Sequence, residues 1–128
     1  MSTPEPTRMW TDAERALLAR SELIRVAGER RDGSLRPLAL VGHVRVGDDV
    51  LIRSLNGVEG AWYRGAVTTG VGVIEVAGTR IRVAFTPDHG RESAVDDALR
   101  ARYGDDSGVR RMTRSPARDA TLRVEPLA

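Results

Sequence analysis

The residues best equipped for chemistry stand close together in the stretch "RSLNGVEGAWYR", which runs from Arg53 to Arg64 and holds one of only two tryptophans and one of only two tyrosines in the chain. Arg53 and Ser54 close a segment with a two-residue period, so their side chains point to opposite faces and only one can line a given pocket. Gly57 and Gly60 let backbone N–H groups approach a phosphate or a ring edge with no Cβ in the way. Trp62 and Tyr63 offer flat surface, and Arg64 offers a planar cation that pairs bidentately with phosphate or carboxylate. Tyr63 also carries the only nearby hydroxyl able to hand a proton to a product. Together these residue types suit a planar, anionic ligand. A second reading stays open, in which the aromatic pair is a packing corner that caps a barrel end.

Other chemistries are excluded by composition. The chain has no cysteine, which removes disulfides, thiolate metal sites and cysteine nucleophiles. All 20 of its basic side chains are arginines, so a Schiff-base lysine and a lysine-bearing phosphate loop are absent too. His43 and His89 are far apart and neither has a partner at metal-ligand spacing, so no metal is expected. Asp96 and Asp97 read as a solvated first helical turn. Arg110, Arg111, Arg114 and Arg118 read as solvated loop charge or as a lid over an anionic ligand. The net charge is only +2, with acidic residues interspersed among the arginines, and this gives no clustered basic face for nucleic acid. No apolar run reaches the length of a membrane span or a signal core, so a cytoplasmic protein with no membrane partner is expected.

The elements that must position these residues follow from periodicity. Residues 1–9 are polar and proline-bearing and are expected to form a flexible tail, leaving 10–128 as one domain. A capping box at Thr11 and Glu14 opens a helix with Ala13, Ala16 and Leu17 on its stripe, ending near Ser21. "ELIRVAG" then begins the β region. "PLALVGHVRV" sets Leu38, Leu40, Val44 and Val46 on one face and Ala39, Val41, His43 and Arg45 on the other. A reversal at Gly47 leads into "VLIRS", and "WYRGAV" reads as one helical turn. "VGVIEV" and "RIRVAF" form a hairpin through Ala77 and Gly78. A second capping box at Ser93 and Asp96 opens a helix that stops at Tyr103, residues 104–120 read as a long charged loop, and "TLRVEP" closes the chain as a strand. Hairpin connections without a repeating βα unit predict a mainly β protein with flanking helices, of the α+β class, built as an antiparallel, partly open β-barrel.

The order "RRDGSLRPLAL", "GDDVLIRS", "NG" and "WYRGA" resembles the split-barrel flavin-binding superfamily, which includes pyridoxamine-phosphate-oxidase-like proteins and deazaflavin-dependent nitroreductases. With "DDALRARYG" and "TLRVEPL", it is similar more closely to an uncharacterised bacterial family of unknown function beside them. The likeness spans residue 10 to the end. It implies a six-stranded, Greek-key-like antiparallel split barrel, a homodimer, and a cofactor that is FMN or a deazaflavin. It also implies that Gly33, Ser34, Arg36 and Pro37 hold the cofactor phosphate, with Ser54 and Gly57 after the third strand and Trp62 and Tyr63 as the aromatic pair. Two positions depart from the pattern: Gly65 stands where the relatives have asparagine, and Arg36 lies closer to the proline than their arginine does.

The leading expectation is therefore an oxidoreductase that binds a flavin or deazaflavin and acts on a small organic molecule. Arg36, Arg53 and Ser54 contact the phosphate or ring edge, Trp62, Tyr63 and Arg64 form the pocket wall, and Tyr63 serves as a proton donor. Two rivals remain: a cofactor-free barrel that binds or tailors a small molecule, and an interaction module whose aromatic corner is an interface.

Overall fold

The computed structural model describes residues 5–128. Its elements run α1 (Asp12–Arg20), β1 (Leu23–Gly28), β2 (Ala39–Gly42), β3 (Val44–Val46), β4 (Asp49–Arg53), α2 (Ala61–Thr69), β5 (Val71–Val76), β6 (Thr79–Pro87), α3 (Glu92–Tyr103), α4 (Ser107–Met112) and β7 (Thr121–Pro126). Single 3₁₀ turns at Gly57–Glu59 and Ala117–Asp119 precede α2 and β7. The protein is an α+β barrel.

All strand pairs are antiparallel, in the order β2-β1-β5-β6-β7-β4-β3. The two outer strands of this order, β2 and β3, are separated only by His43. One bent segment thus pairs with β1 through its first half and with β4 through its second, so the sheet curls into a nearly closed barrel. This explains the strand count, seven against the six expected: the segment "ALVGHVRV" reads as one strand by periodicity and is two once it bends to serve two neighbours. His43 is buried at the bend, where its backbone N–H donates to the Tyr103 hydroxyl at 3.0 Å and its Nε2 lies 2.7 Å from the Ser21 carbonyl.

The two-residue period sorts side chains into two cores. Val26, Val50, Ile52, Ile74, Val83, Phe85, Leu122 and Val124 fill the barrel interior, closed at one end by Trp10 and Leu18. Val44 and Leu51 point the other way and pack beneath α3 and α4 against Val95, Leu99 and Val109. Each such fully buried aliphatic side chain stabilises the fold by about 1.5–3 kcal/mol before ordering costs. The hairpin β5–β6 forms as expected: Ala77 (φ 49°) and Gly78 (φ 79°) make the two-residue turn, and Ile81, Val83 and Phe85 face inward.

Several expectations are corrected. The capping box at Thr11 is present, with the Glu14 N–H donating to Thr11 Oγ1 at 3.1 Å, yet Leu18 is the buried residue of α1 and Ala13 and Ala16 are exposed. Residues 1–4 of the expected tail lie outside the described residues. Residues 5–9 are held against the end of the closing strand and against β6, with Thr7 bridging Leu127, the Arg8 N–H donating to the Pro126 carbonyl at 2.9 Å, and Glu5 paired with Arg82 of β6 at 2.6 Å. The helix expected from Ser93 begins at Glu92 without a side-chain cap. The segment 104–120 carries α4, capped by Asp106, whose Oδ1 accepts the Val109 N–H at 2.9 Å, and a 3₁₀ turn. Its apolar anchors Val109 and Met112 stand at helical spacing, but two positions in a six-residue element are too few to announce a helix.

Candidate functional site

The alternation expected at the end of β4 decides the architecture of this region. Arg53 lies on the face shared with Leu51 and turns beneath α3 and α4, while Ser54 lies on the face of Ile52 and reaches the barrel mouth.

Arg53 is entirely enclosed, its side chain 0% exposed. Its Nε donates to Thr121 Oγ1 at 2.9 Å, and one terminal nitrogen donates to Asp96 Oδ1 at 2.5 Å and to the Met112 carbonyl at 2.9 Å. The other donates to the Glu92 carbonyl at 3.0 Å. Asp96 also accepts from Arg118 at 2.9 Å. Burial raises the Asp96 pKa, but the hydrogen bonds from Arg53 and Arg118 outweigh this and hold it below its ordinary 3.8. Two corrections follow. Asp96 is an internal anion rather than part of a solvated first turn, and Arg53 is committed to tying β4 to α3, α4 and β7 rather than free to meet a phosphate.

On the other side of β4, a cleft of about 380 Å³ opens between the β1–β2 connection and the start of α2. Arg36, Pro37, Ser54, Asn56, Gly60 and Trp62 line it. The floor depends on glycine at both surfaces of a helix–strand contact. A Cβ on Gly28 would stand 2.4 Å from the Gly65 carbonyl oxygen, so α2 can lie on β1 only with glycine there. A Cβ on Gly65 would stand 2.4 Å from Arg36 Cδ, so the Arg36 stem occupies the space that a side chain at 65 would take. The two departures from the relatives' pattern thus meet in space. Arg36 Nε is buried and, among the described residues, has no hydrogen-bond partner. Gly60 stands at the N-cap of α2 and brings no side-chain acceptor to the first N–H groups of the helix. An uncapped nine-residue helix start beside an arginine carries positive potential into the cleft.

Trp62 forms the ridge between this cleft and a second cavity of about 370 Å³, which also shares Leu55. The second cavity lies outside the barrel between β1, β2, α3 and α4, walled by Leu23, Leu40, Leu99, Tyr103, Val109 and Met112. Among the described residues no group of three or more acidic or histidine side chains could hold a metal ion, and no helix is long and apolar enough to cross a membrane.

The structure brings Arg36, Pro37, Ser54 and Trp62 together and separates the other expected site residues from them. Gly33 and Ser34 form an exposed turn, where the Ser34 hydroxyl donates to Asp32 at 2.6 Å. Gly57 takes φ +74° and presses on Pro116, whose Cβ would lie 2.7 Å from any Cβ added at 57. Arg64 is exposed on α2, which runs nine residues instead of one turn. Tyr63 is buried in the barrel core, edge-on to Trp62 with ring centroids 6.3 Å apart, and burial raises its phenol pKa. It lines neither cavity, so the role of proton donor is not supported by its position. The reason is helical: successive residues point about 100° apart, so Trp62 and Tyr63 cannot share one wall. Gly28 and Leu40 were missed. Gly28 had a readable signal as a glycine ending an apolar strand, whereas Leu40 looked like an ordinary core residue and is 59% exposed.

Solved structures of similar fold confirm the barrel. An F420 reductase matches with a TM-score of 0.60 at 17% identity, over 93% of this chain and 97% of that one. A conserved hypothetical protein from Mycobacterium tuberculosis matches at 0.59 and 13% identity, over 98% and 86% of the two chains. A NimC/NimA family protein from Clostridium acetobutylicum matches at 0.55 and 17% identity, over 93% and 84%. No curated protein matches the chain. The sequence itself, from residue 14 to 124, matches the family described as an uncharacterised protein conserved in bacteria, DUF2255, and the chain belongs to that family.

Proposed function

We propose that the protein binds a flavin- or deazaflavin-type cofactor by its phosphate in the glycine-floored cleft and works as an oxidoreductase on a small organic molecule. The observation that carries this reading is Arg36 Nε, a buried cationic donor without an acceptor, beside the uncapped start of α2. A buried unpaired donor costs about 1–3 kcal/mol, which an incoming anion would return. The fit to a phosphate is chemical: a guanidinium, the N–H groups at the start of α2 and the Ser54 hydroxyl face one cavity, with glycines where side chains would block approach. The fold shared with a reductase and with a NimC/NimA family protein supports the same reading.

When bound, such a cofactor supplies hydride transfer. The chain's own residues hold and shield it. Arg36, the α2 start and Ser54 fix the phosphate, Asn56 offers a polar contact to a ring edge, and Trp62 gives a flat wall against which a ring system can lie.

The test is a fluorescence titration of the purified protein with FMN and with a deazaflavin cofactor, repeated with Arg36→Ala. Saturable binding of one of them, weakened about 10- to 100-fold in Arg36→Ala, is the expected result. No binding of either, or equal affinity in the variant, rejects the proposal and returns the cleft to the cofactor-free reading.

A further inference from the structure

The second cavity has a wall chemistry of its own. Leu23 and Leu40 point out of the barrel where no helix covers them and remain 45% and 59% exposed. Leu99, Val109 and Met112 face them from α3 and α4, and the Tyr103 ring closes one side, its hydroxyl anchored to the Glu22 carbonyl at 2.6 Å. Uncovered leucines around a concave surface mark a ligand groove or an interface. The rim decides between occupants. Arg111 lines the cavity, and among the described residues no carboxylate pairs with it, although most arginines near it are paired: Arg53 and Arg118 with Asp96, Arg110 with Asp105 and Arg100 with Asp97. Asp106, the one carboxylate on the wall, has Oδ1 engaged in capping α4. A volume of about 370 Å³ is small for a protein segment and lies within the range of about 300–1,000 Å³ typical of small-molecule pockets.

We infer that this cavity is the substrate pocket and that it takes an apolar molecule bearing one carboxylate, with the apolar body between Leu40 and Met112 and the carboxylate at Arg111. The inference rests on the proposed cofactor cleft in one respect: Trp62 and Leu55 border both cavities, so a molecule seated here lies next to the cleft. Arg111 sets specificity by charge complementarity at the rim and leaves the body of the ligand to the leucines. Asp106 acts in the opposite sense, as the nearest negative charge.

The probes are 2-naphthoate and its uncharged isostere 2-naphthamide, followed by equilibrium dialysis against wild type, Arg111→Gln, Asp106→Asn and Arg36→Ala. Wild type is expected to bind naphthoate saturably and about fivefold more tightly than the amide, the scale of one accessible ion pair. Arg111→Gln removes that preference, Asp106→Asn increases it, and Arg36→Ala leaves it intact. Equal binding of the two probes, naphthoate affinity unchanged in Arg111→Gln, or no binding of either overturns the assignment. A cavity covered instead by a second copy would show as no naphthoate binding together with a dimer in sedimentation velocity that Leu40→Glu dissociates, and this too overturns it. Failure of the cofactor cleft reads separately, as loss of Arg36 dependence in the cofactor titration with naphthoate binding unchanged.

Discussion

Two arginines flank Ser54 at the barrel mouth, and their surroundings are opposite. Arg53 lies under α3 and α4 with a carboxylate, two carbonyls and a hydroxyl arranged around it. Arg36 lies under α2 with its stem against Gly65 and its Nε facing no acceptor. The same side chain is a structural tie where each of its nitrogens is answered by the protein, and a candidate ligand group where a buried nitrogen is left over. A buried donor atom left without an acceptor costs stability, and at Arg36 that atom belongs to a side chain that lines an open cleft, where a ligand can answer it. The two cavities divide in the same way: the cleft is lined by Arg36, a helix start and glycines, whereas the second cavity is walled by leucines, with Arg53 there already tied to Asp96 and Arg111 left unpaired among the described residues.

The largest expected effect breaks the first half of this contrast. Arg53→Met strips Asp96 of its buried partner and should cost about 3–5 kcal/mol in urea unfolding, whereas Arg36→Ala should cost about 1 kcal/mol or less, because it removes a donor that the fold does not use. Equal losses in the two variants would erase the distinction between them. Next come the glycines beneath the cleft. Gly28→Ala drives a Cβ into the Gly65 backbone and should cost about 1–3 kcal/mol, while Gly65→Ala meets only the flexible Arg36 stem and should displace it, weakening cofactor binding with a smaller loss of stability. A Gly65→Ala protein with full cofactor affinity would show that the position of Arg36 is unimportant.

The smallest effect is a pH dependence. The Asp96 pKa is lowered in the folded state, so its contribution is fully present above the unfolded value of 3.8 and is lost as pH falls through the lower folded value. Urea midpoints measured from about pH 6 to pH 2.5 should therefore fall more steeply at the acid end for wild type than for Asp96→Asn. Parallel curves would show that the Arg53–Asp96 pair does not couple to protonation.

Much of the fold was legible because strands carry a short, local signal. The β5–β6 hairpin, the β7 strand and the separation of Arg53 from Ser54 all follow from a two-residue period and a turn dipeptide. The helices were less so. α2 runs well past the single turn expected at "WYRGAV", because packing of Gly65 and Ala66 on β1 overrides the low helix propensity of its glycine and β-branched residues. α4 was hidden among arginines. At the site, Arg36, Pro37, Ser54 and Trp62, all expected from the sequence, meet in one cleft, but Tyr63, Arg64, Gly57 and the Gly33–Ser34 turn, equally suited by residue type, face elsewhere.

By itself the sequence determined the barrel class, the absence of thiolate and lysine chemistry, and the few residues able to meet an anion, since these depend on composition and on patterns a few residues long. Only the tertiary structure decided which arginine is answered and which is left over. That choice rests on contacts between residues far apart in the chain, Arg53 with Asp96 and Arg36 with Gly65, and no local pattern encodes which distant carboxylate, carbonyl or glycine a guanidinium will find.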